Sequence, residues 1–378
     1  MRTKNDKDVV SNPTIPSLSI GTAVDLLSKY YAKLILSKQD LKLFPATMLW
    51  GPPGVGKSQG IREIAGELEV KTSKKVHITD IRLLLFNPVD LRGIPTYDKD
   101  RTFSIWLKPK IFNMDPASDV INILLLDEIT AAPQSVQAAA YQLTLDRKVG
   151  EHTLPDNCII FLAGNRDTDR SVATRMPKAL ANRLLHLEIQ ADFESFKKWA
   201  IRHEINERVL GFLTFHPDYL MAFSAENNDV AFATPRTWEM VSNIITYVEP
   251  DVEKAAPLVE GLISVGTAYE FLAYCKVYHE LPDIESIFDG KCNKVPTSTD
   301  SLYALISSMT SYAFKIKDDM DRIANSISYV SNYLPPDFAY VLLHDYMYFS
   351  DDYKLKLMKI PAFLRFANKR GQLLNGIK

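Results

Sequence analysis

The sequence predicts an α/β fold: a mostly parallel sheet sandwiched by helices, followed by a long helical half. Three observations carry that expectation. Short runs at 45–50, 75–85, 121–126 and 158–162 read almost continuously hydrophobic, as strands covered on both faces must. Helical stretches separate most of them as far as Ile189, the alternation that builds a parallel sheet. Beyond Asp192 the strand-like runs stop, and helical patterns follow one another over 193–203, 206–214, 236–248, 252–278, 302–334 and 338–350.

In chain order, residues 1–17 are polar and mixed in charge, without the apolar core of a signal peptide. Val24, Leu26, Leu27, Tyr30 and Leu34 then recur at helical spacing, so a helix over 22–36 precedes the first strand. The run 45–50 ends at a glycine and a helical pattern follows over 57–68, which gives strand, loop, helix. A further helix is expected over 134–145, between the strands at 121–126 and 158–162. Proline, glycine and polar residues cluster at 289–300 and read as a linker. The expected division is a polar segment 1–17, an α/β domain 18–190, a helical lid 191–290 and a C-terminal helical segment 291–378.

A chain of 378 residues exceeds what one core usually supports, which agrees with several units. The formal charge of −2 makes no bulk demand for a polyanionic partner, so nucleic acid is a minority expectation. No segment approaches a membrane span, and a cytoplasmic location is expected. Cys158, Cys275 and Cys292 show neither metal-ligand spacing nor a disulfide framework and read as reduced, mostly buried thiols. The histidines lack the His-Glu-x-x-His spacing of a zinc site. The chain end is locally basic, with Lys354, Lys356, Lys359, Arg365, Lys369, Arg370 and Lys378; a solvated or subunit-docking face explains it better than a phosphate-binding tail.

Two motifs carry chemistry. Gly51-Pro52-Pro53-Gly54-Val55-Gly56-Lys57-Ser58 lies between the first apolar strand and a helix, where backbone amides and the helix start can cradle phosphates. Lys57 would neutralise the β and γ phosphates, Ser58 would offer a magnesium ligand, and Gln59 continues the loop into the helix. The run 121–126 ends in Asp127 and Glu128, adjacent carboxylates at a strand end that faces the ligand crevice. Asp127 would hold the magnesium shell, and Glu128 would polarise the attacking water. A nucleoside triphosphate and Mg2+ are therefore the expected ligands.

With Leu125-Leu-Asp-Glu-Ile-Thr-Ala-Ala-Pro133 and Arg147-Lys-Val-Gly-Glu-His-Thr-Leu154 following in order, the chain resembles the AAA+ ATPases, and within them the MoxR and midasin/dynein-related branch. The stretch Asn87-Pro-Val-Asp-Leu-Arg-Gly-Ile-Pro95, with 103–106, is similar to the insert that branch carries after its second strand, and 147–154 to its hairpin before the sensor strand. The resemblance spans roughly 18–247 and implies a P-loop AAA+ core. It also implies that Asn165 is the polar residue that reads the γ phosphate, a turn cap being the alternative. In Met176-Pro-Lys-Ala-Leu-Ala-Asn182-Arg183-Leu184 it implies that Arg183 reaches a neighbouring subunit's nucleotide, with Arg175 the competing candidate. Asn182 and Leu184 depart there from the usual aspartate and phenylalanine. Arg236, in Thr234-Pro-Arg-Thr-Trp238, matches the family's lid arginine, an ordinary helix-start arginine being the alternative.

The activity the resemblance implies is ATP hydrolysis driving the remodelling or chaperone-like maturation of a protein client. It further implies a homo-oligomer, expected as a hexameric ring, often partnered by a von Willebrand factor A domain protein. The competing expectations are a nucleic-acid-stimulated motor of a defence or restriction system and a nucleotide-gated assembly scaffold.

Overall fold

The structure, a computed structural model, describes residues 15–166, 176, 178–222 and 230–369. It falls into two compact units, 1–190 and 191–378. Among the described residues, no helix is long and apolar enough to cross a membrane.

The first unit runs β1 (Ser17–Ser19), α1 (Ile20–Leu36), β2 (Thr47–Trp50), α2 (Lys57–Thr72), β3 (Lys75–Arg82), α3 (Pro88–Arg92), β4 (Ile94–Tyr97), β5 (Ser104–Leu107) and β6 (Val120–Asp127). It continues with α4 (Gln134–Asp146), β7 (Lys148–Val149), β8 (His152–Thr153), β9 (Cys158–Gly164), α5 (Lys178–Ala181) and β10 (Leu185–Gln190). The central sheet has the order β1-β10-β2-β9-β6-β3, and its pairings are all parallel. The predicted fold class, a mostly parallel sheet with helices around it and a helical part after it, is the one observed.

Position in the sheet explains the composition of each strand. The central β9 is buried throughout and β6 at every residue except Asp127, so their sequences are continuously apolar. The edge strand β3 is largely half-buried or exposed and tolerates Lys75, His77, Asp80 and Arg82. It ends at Arg82, three residues before the expected 85, because its partner β6 stops at Asp127, opposite Arg82. Leu83–Leu85 form a short 3-10 turn instead. The three-residue β1 was not expected; it lies along β10, and Ser19 then caps α1 by accepting a 3.1 Å bond from Thr22 N–H. Two hairpins interrupt the alternation: β4–β5, introduced by α3, and β7–β8. They are tied by a 2.8 Å contact between His152 Nε2 and Trp106 O.

The second unit is helical: α6 (Phe193–Arg202), α7 (Glu207–Phe215), α8 (Pro235–Asn243), α9 (Val252–Ile263), α10 (Val265–Cys275), α11 (Ile284–Phe288), α12 (Thr299–Lys315), α13 (Met320–Tyr333), α14 (Pro336–Tyr346), α15 (Tyr353–Leu357) and α16 (Pro361–Lys369). One apolar core runs through it from Phe196 to Phe366, with Phe212, Trp238 and Phe271 packed ring against ring. Two expected long helices are each divided. The 252–278 pattern breaks at Ser264, whose φ of +77° cannot continue a helix. The 302–334 pattern breaks before Asp319, which caps α13 by accepting from Arg322 N–H at 3.2 Å. Inside this unit Lys197 of α6 and Asp345 of α14 form an ion pair, Nζ to Oδ1 2.6 Å, with side chains 4% and 1% exposed.

Candidate active site

Three adjacent parallel strands, β2, β9 and β6, end side by side, and each delivers part of the site at its carboxyl end. The glycine-rich loop leaves β2. Gly51 passes so close to β10 that a Cβ there would stand 2.5 Å from Ile189 O, so a larger residue cannot open the loop. Val55 is buried and anchors the loop's middle. Gly56 starts α2 without any side-chain cap, and the first backbone bond of the helix is the 2.8 Å one from Gly60 N–H to Gly56 O. The amides of Lys57, Ser58 and Gln59 precede that bond, where a helix start offers N–H groups and partial positive charge to an anion.

Lys57 is buried, and its ammonium donates to Gly51 O at 2.7 Å, Pro52 O at 3.0 Å and Asn165 Oδ1 at 3.1 Å. Ser58 Oγ–H donates to Asp127 Oδ2 at 2.7 Å. The other carboxylate oxygen, Oδ1, accepts the Glu128 backbone N–H at 2.8 Å. Glu128 has φ +57°, left-handed backbone that costs a non-glycine residue about 1–2 kcal/mol and that collects at functional turns. Beyond β9, Asn165 N–H donates to the hydroxyl of buried Thr130 at 3.1 Å. Lys57 is thus bonded to Asn165 and Ser58 to Asp127, and the two pairs lie together because Lys57 and Ser58 are consecutive, with Glu128 next to Asp127.

These groups fit magnesium and a triphosphate. A hydroxyl and a carboxylate oxygen 2.7 Å apart form an all-oxygen donor pair suited to a hard cation. An ammonium beside helix-start amides suits phosphate oxygens.

The bonds that join Lys57 to Asn165 and Ser58 to Asp127 involve neither Arg183 nor Arg236. Arg183 is exposed in the turn between α5 and β10, and Arg175 lies outside the described residues. Arg236 belongs to the second unit and is exposed in the first turn of α8, where Thr234 caps the helix by accepting from Thr237 N–H at 3.1 Å.

Several contributors were not read from the sequence. Thr130 supports Asn165, and nothing in its residue type or its place in the 125–133 stretch signals that role. Arg166, next to Asn165, pairs with the buried carboxylate of Glu188 and so ties β9 to β10 across β2. Trp50, the last residue of β2, donates its indole N–H to His186 Nδ1 at 2.9 Å. Such partners lie far apart in sequence, and no local pattern announces them.

No family model matches the chain, and no curated protein matches it. Among solved structures it is similar to a RuvB mutant of Thermotoga maritima, at 14% identity over 77% of this chain and 84% of that one, TM-score 0.32. It is also similar to NtrX from Brucella abortus in complex with ADP, at 13% identity over 94% and 68% of the two chains, TM-score 0.34. A third likeness is to a chain of the Drosophila ORC structure bound to DNA, at 11% identity over 92% and 87%, TM-score 0.32.

Proposed function

We propose that the chain is an AAA+ ATPase that hydrolyses ATP with Mg2+ and uses the resulting motion to remodel a protein client. The observation that carries this reading is the convergence of Lys57, Ser58, Asp127 and Asn165, from separate chain segments, through bonds of 2.7 and 3.1 Å beside the strained Glu128. Lys57 and the amides at the start of α2 bind the phosphates and spread their charge. Ser58 and Asp127 hold Mg2+, which neutralises charge on the β and γ oxygens when bound. Glu128 orients water and takes its proton, and Asn165 positions the γ phosphate against it.

Arg183, exposed on a short turn, supplies positive charge to a neighbour's phosphates, so turnover needs assembly into a ring, which we take to be hexameric. Arg236 couples the helical unit to the γ phosphate. The hairpins β4–β5 and β7–β8 occupy the two places where the MoxR and midasin/dynein-related branch carries its inserts, and they support placing the chain there. A von Willebrand factor A domain protein is then the partner to seek.

Calorimetry with ATP and magnesium, paired with phosphate release, tests the reading. Lys57→Ala should lose binding, whereas Glu128→Gln should bind ATP and turn over about 10²–10⁴-fold more slowly. Full turnover by Glu128→Gln removes the catalytic assignment, and no heat from ATP in the native protein removes the whole reading. Stimulation by DNA or RNA with steep salt dependence would move the client from protein to nucleic acid.

A further inference from the structure

The turn that carries Arg183 and the loop that carries Lys57 are joined through one imidazole. On one side His186 Nδ1 accepts the indole N–H of Trp50 at 2.9 Å, and the two rings lie 6.0 Å apart at 22°. On the other side His186 Nε2 is 2.7 Å from Ala181 O. An indole nitrogen can only donate and a carbonyl can only accept, so these partners fix one tautomer, with the hydrogen on Nε2. Trp50 directly precedes Gly51, the first residue of the loop. Ala181 ends α5, and its carbonyl also accepts Leu184 N–H at 3.2 Å, closing the turn that presents Asn182 and Arg183.

We propose that His186 is a positioning residue that carries the state of the nucleotide loop in one subunit to the arginine which that same subunit offers its neighbour. The proposal rests on the reading of Arg183 as the trans-acting arginine. Two apolar rings would fill this half-buried space equally well; two directional bonds in series instead fix the Arg183 turn relative to Trp50. The strand β10 is held at both ends, by this bridge at His186 and by the close passage of Gly51 against Ile189. A displacement of the loop on gripping phosphate is therefore passed to the turn and not absorbed between them.

The test uses the full-length protein. His186→Phe keeps a ring and removes both bonds, and His186→Gln retains one acceptor and one donor. Expected for His186→Phe is ATP affinity within about twofold of native and turnover about tenfold lower, with His186→Gln recovering the larger part. Combined with Arg183→Ala, His186→Phe should add no further loss, because the two act along one path. Native turnover in His186→Phe, or losses that multiply in the double variant, overturns the coupling and leaves the role of Arg183 standing. Full turnover in Arg183→Ala overturns the trans-acting reading and the coupling with it. Should His186→Phe fail to fold, Trp50→Phe removes the indole donor alone and is judged by the same outcomes.

Discussion

Replacing Lys197 with methionine should strongly destabilise the helical unit, and the size of the loss follows from burial. With the lysine removed, the carboxylate of Asp345, 1% exposed, keeps a weak hydrogen bond from Thr310 Oγ1 at 3.4 Å. Burial already pushes the Asp345 carboxyl above the usual carboxylate range, against the opposing pull of Lys197. Breaking such a buried pair costs about 3–5 kcal/mol, whereas an exposed pair is worth about 0–1 kcal/mol. Lys42–Asp156, with side chains 43% and 82% exposed, is the internal control of the second kind. Urea unfolding followed by tryptophan fluorescence reads the loss, since Trp199 and Trp238 both lie in this unit. With an m-value of about 2 kcal/mol per M, the midpoint should fall by about 2 M. Lys197→Met/Asp345→Leu, which leaves no buried charge, should recover most of it. A single variant that unfolds with the native midpoint, or a double variant no better than the single, would refute the reasoning.

Three further outcomes are expected. Ser58→Ala should retain magnesium-free ATP affinity and lose about tenfold of the gain that magnesium brings, measured as the ratio of dissociation constants with and without chelator. Gly211→Ala should cost about 1–3 kcal/mol in the same urea assay, because overpacking forces its neighbours apart. Its Cβ would stand 2.5 Å from both Ser307 Oγ and Tyr278 Oη. Burial pushes the thiols of Cys158 and Cys275 up to about 11 and about 12, which suppresses the reactive thiolate at pH 8. Mass spectrometry after brief alkylation should therefore find half-buried Cys292 modified first and the other two only on unfolding.

What the sequence makes legible is what a continuous stretch must do by itself. The loop from Gly51 to Ser58 and the run ending in Asp127 each combine an apolar strand with polar residues at its carboxyl end, and the structure sets those ends together. Helix faces were less legible. In α1 the apolar spacing included Leu26 and Tyr30, which are 37% and 44% exposed, while Ala23, Tyr31 and Ile35 complete the buried face. Hydrophobic period alone does not tell which of two adjoining stripes meets the sheet. The breaks at Ser264 and Asp319 were hidden because apolar spacing continues across them, although serine and aspartate both favour caps over helix interiors. Pairings such as Trp50 with His186 and Lys197 with Asp345 exist only once remote segments meet.

Both oxygens of the Asp127 carboxylate are engaged. One is occupied by the Ser58 hydroxyl, and the other secures the amide of the residue whose backbone is bent left-handed. Damage at position 127 therefore spreads: a substitution that removes the acceptor of the Ser58 hydroxyl also unlatches Glu128 from its turn. Defects engineered at these two neighbours will overlap, and losses measured one at a time will sum to more than the pair together can lose.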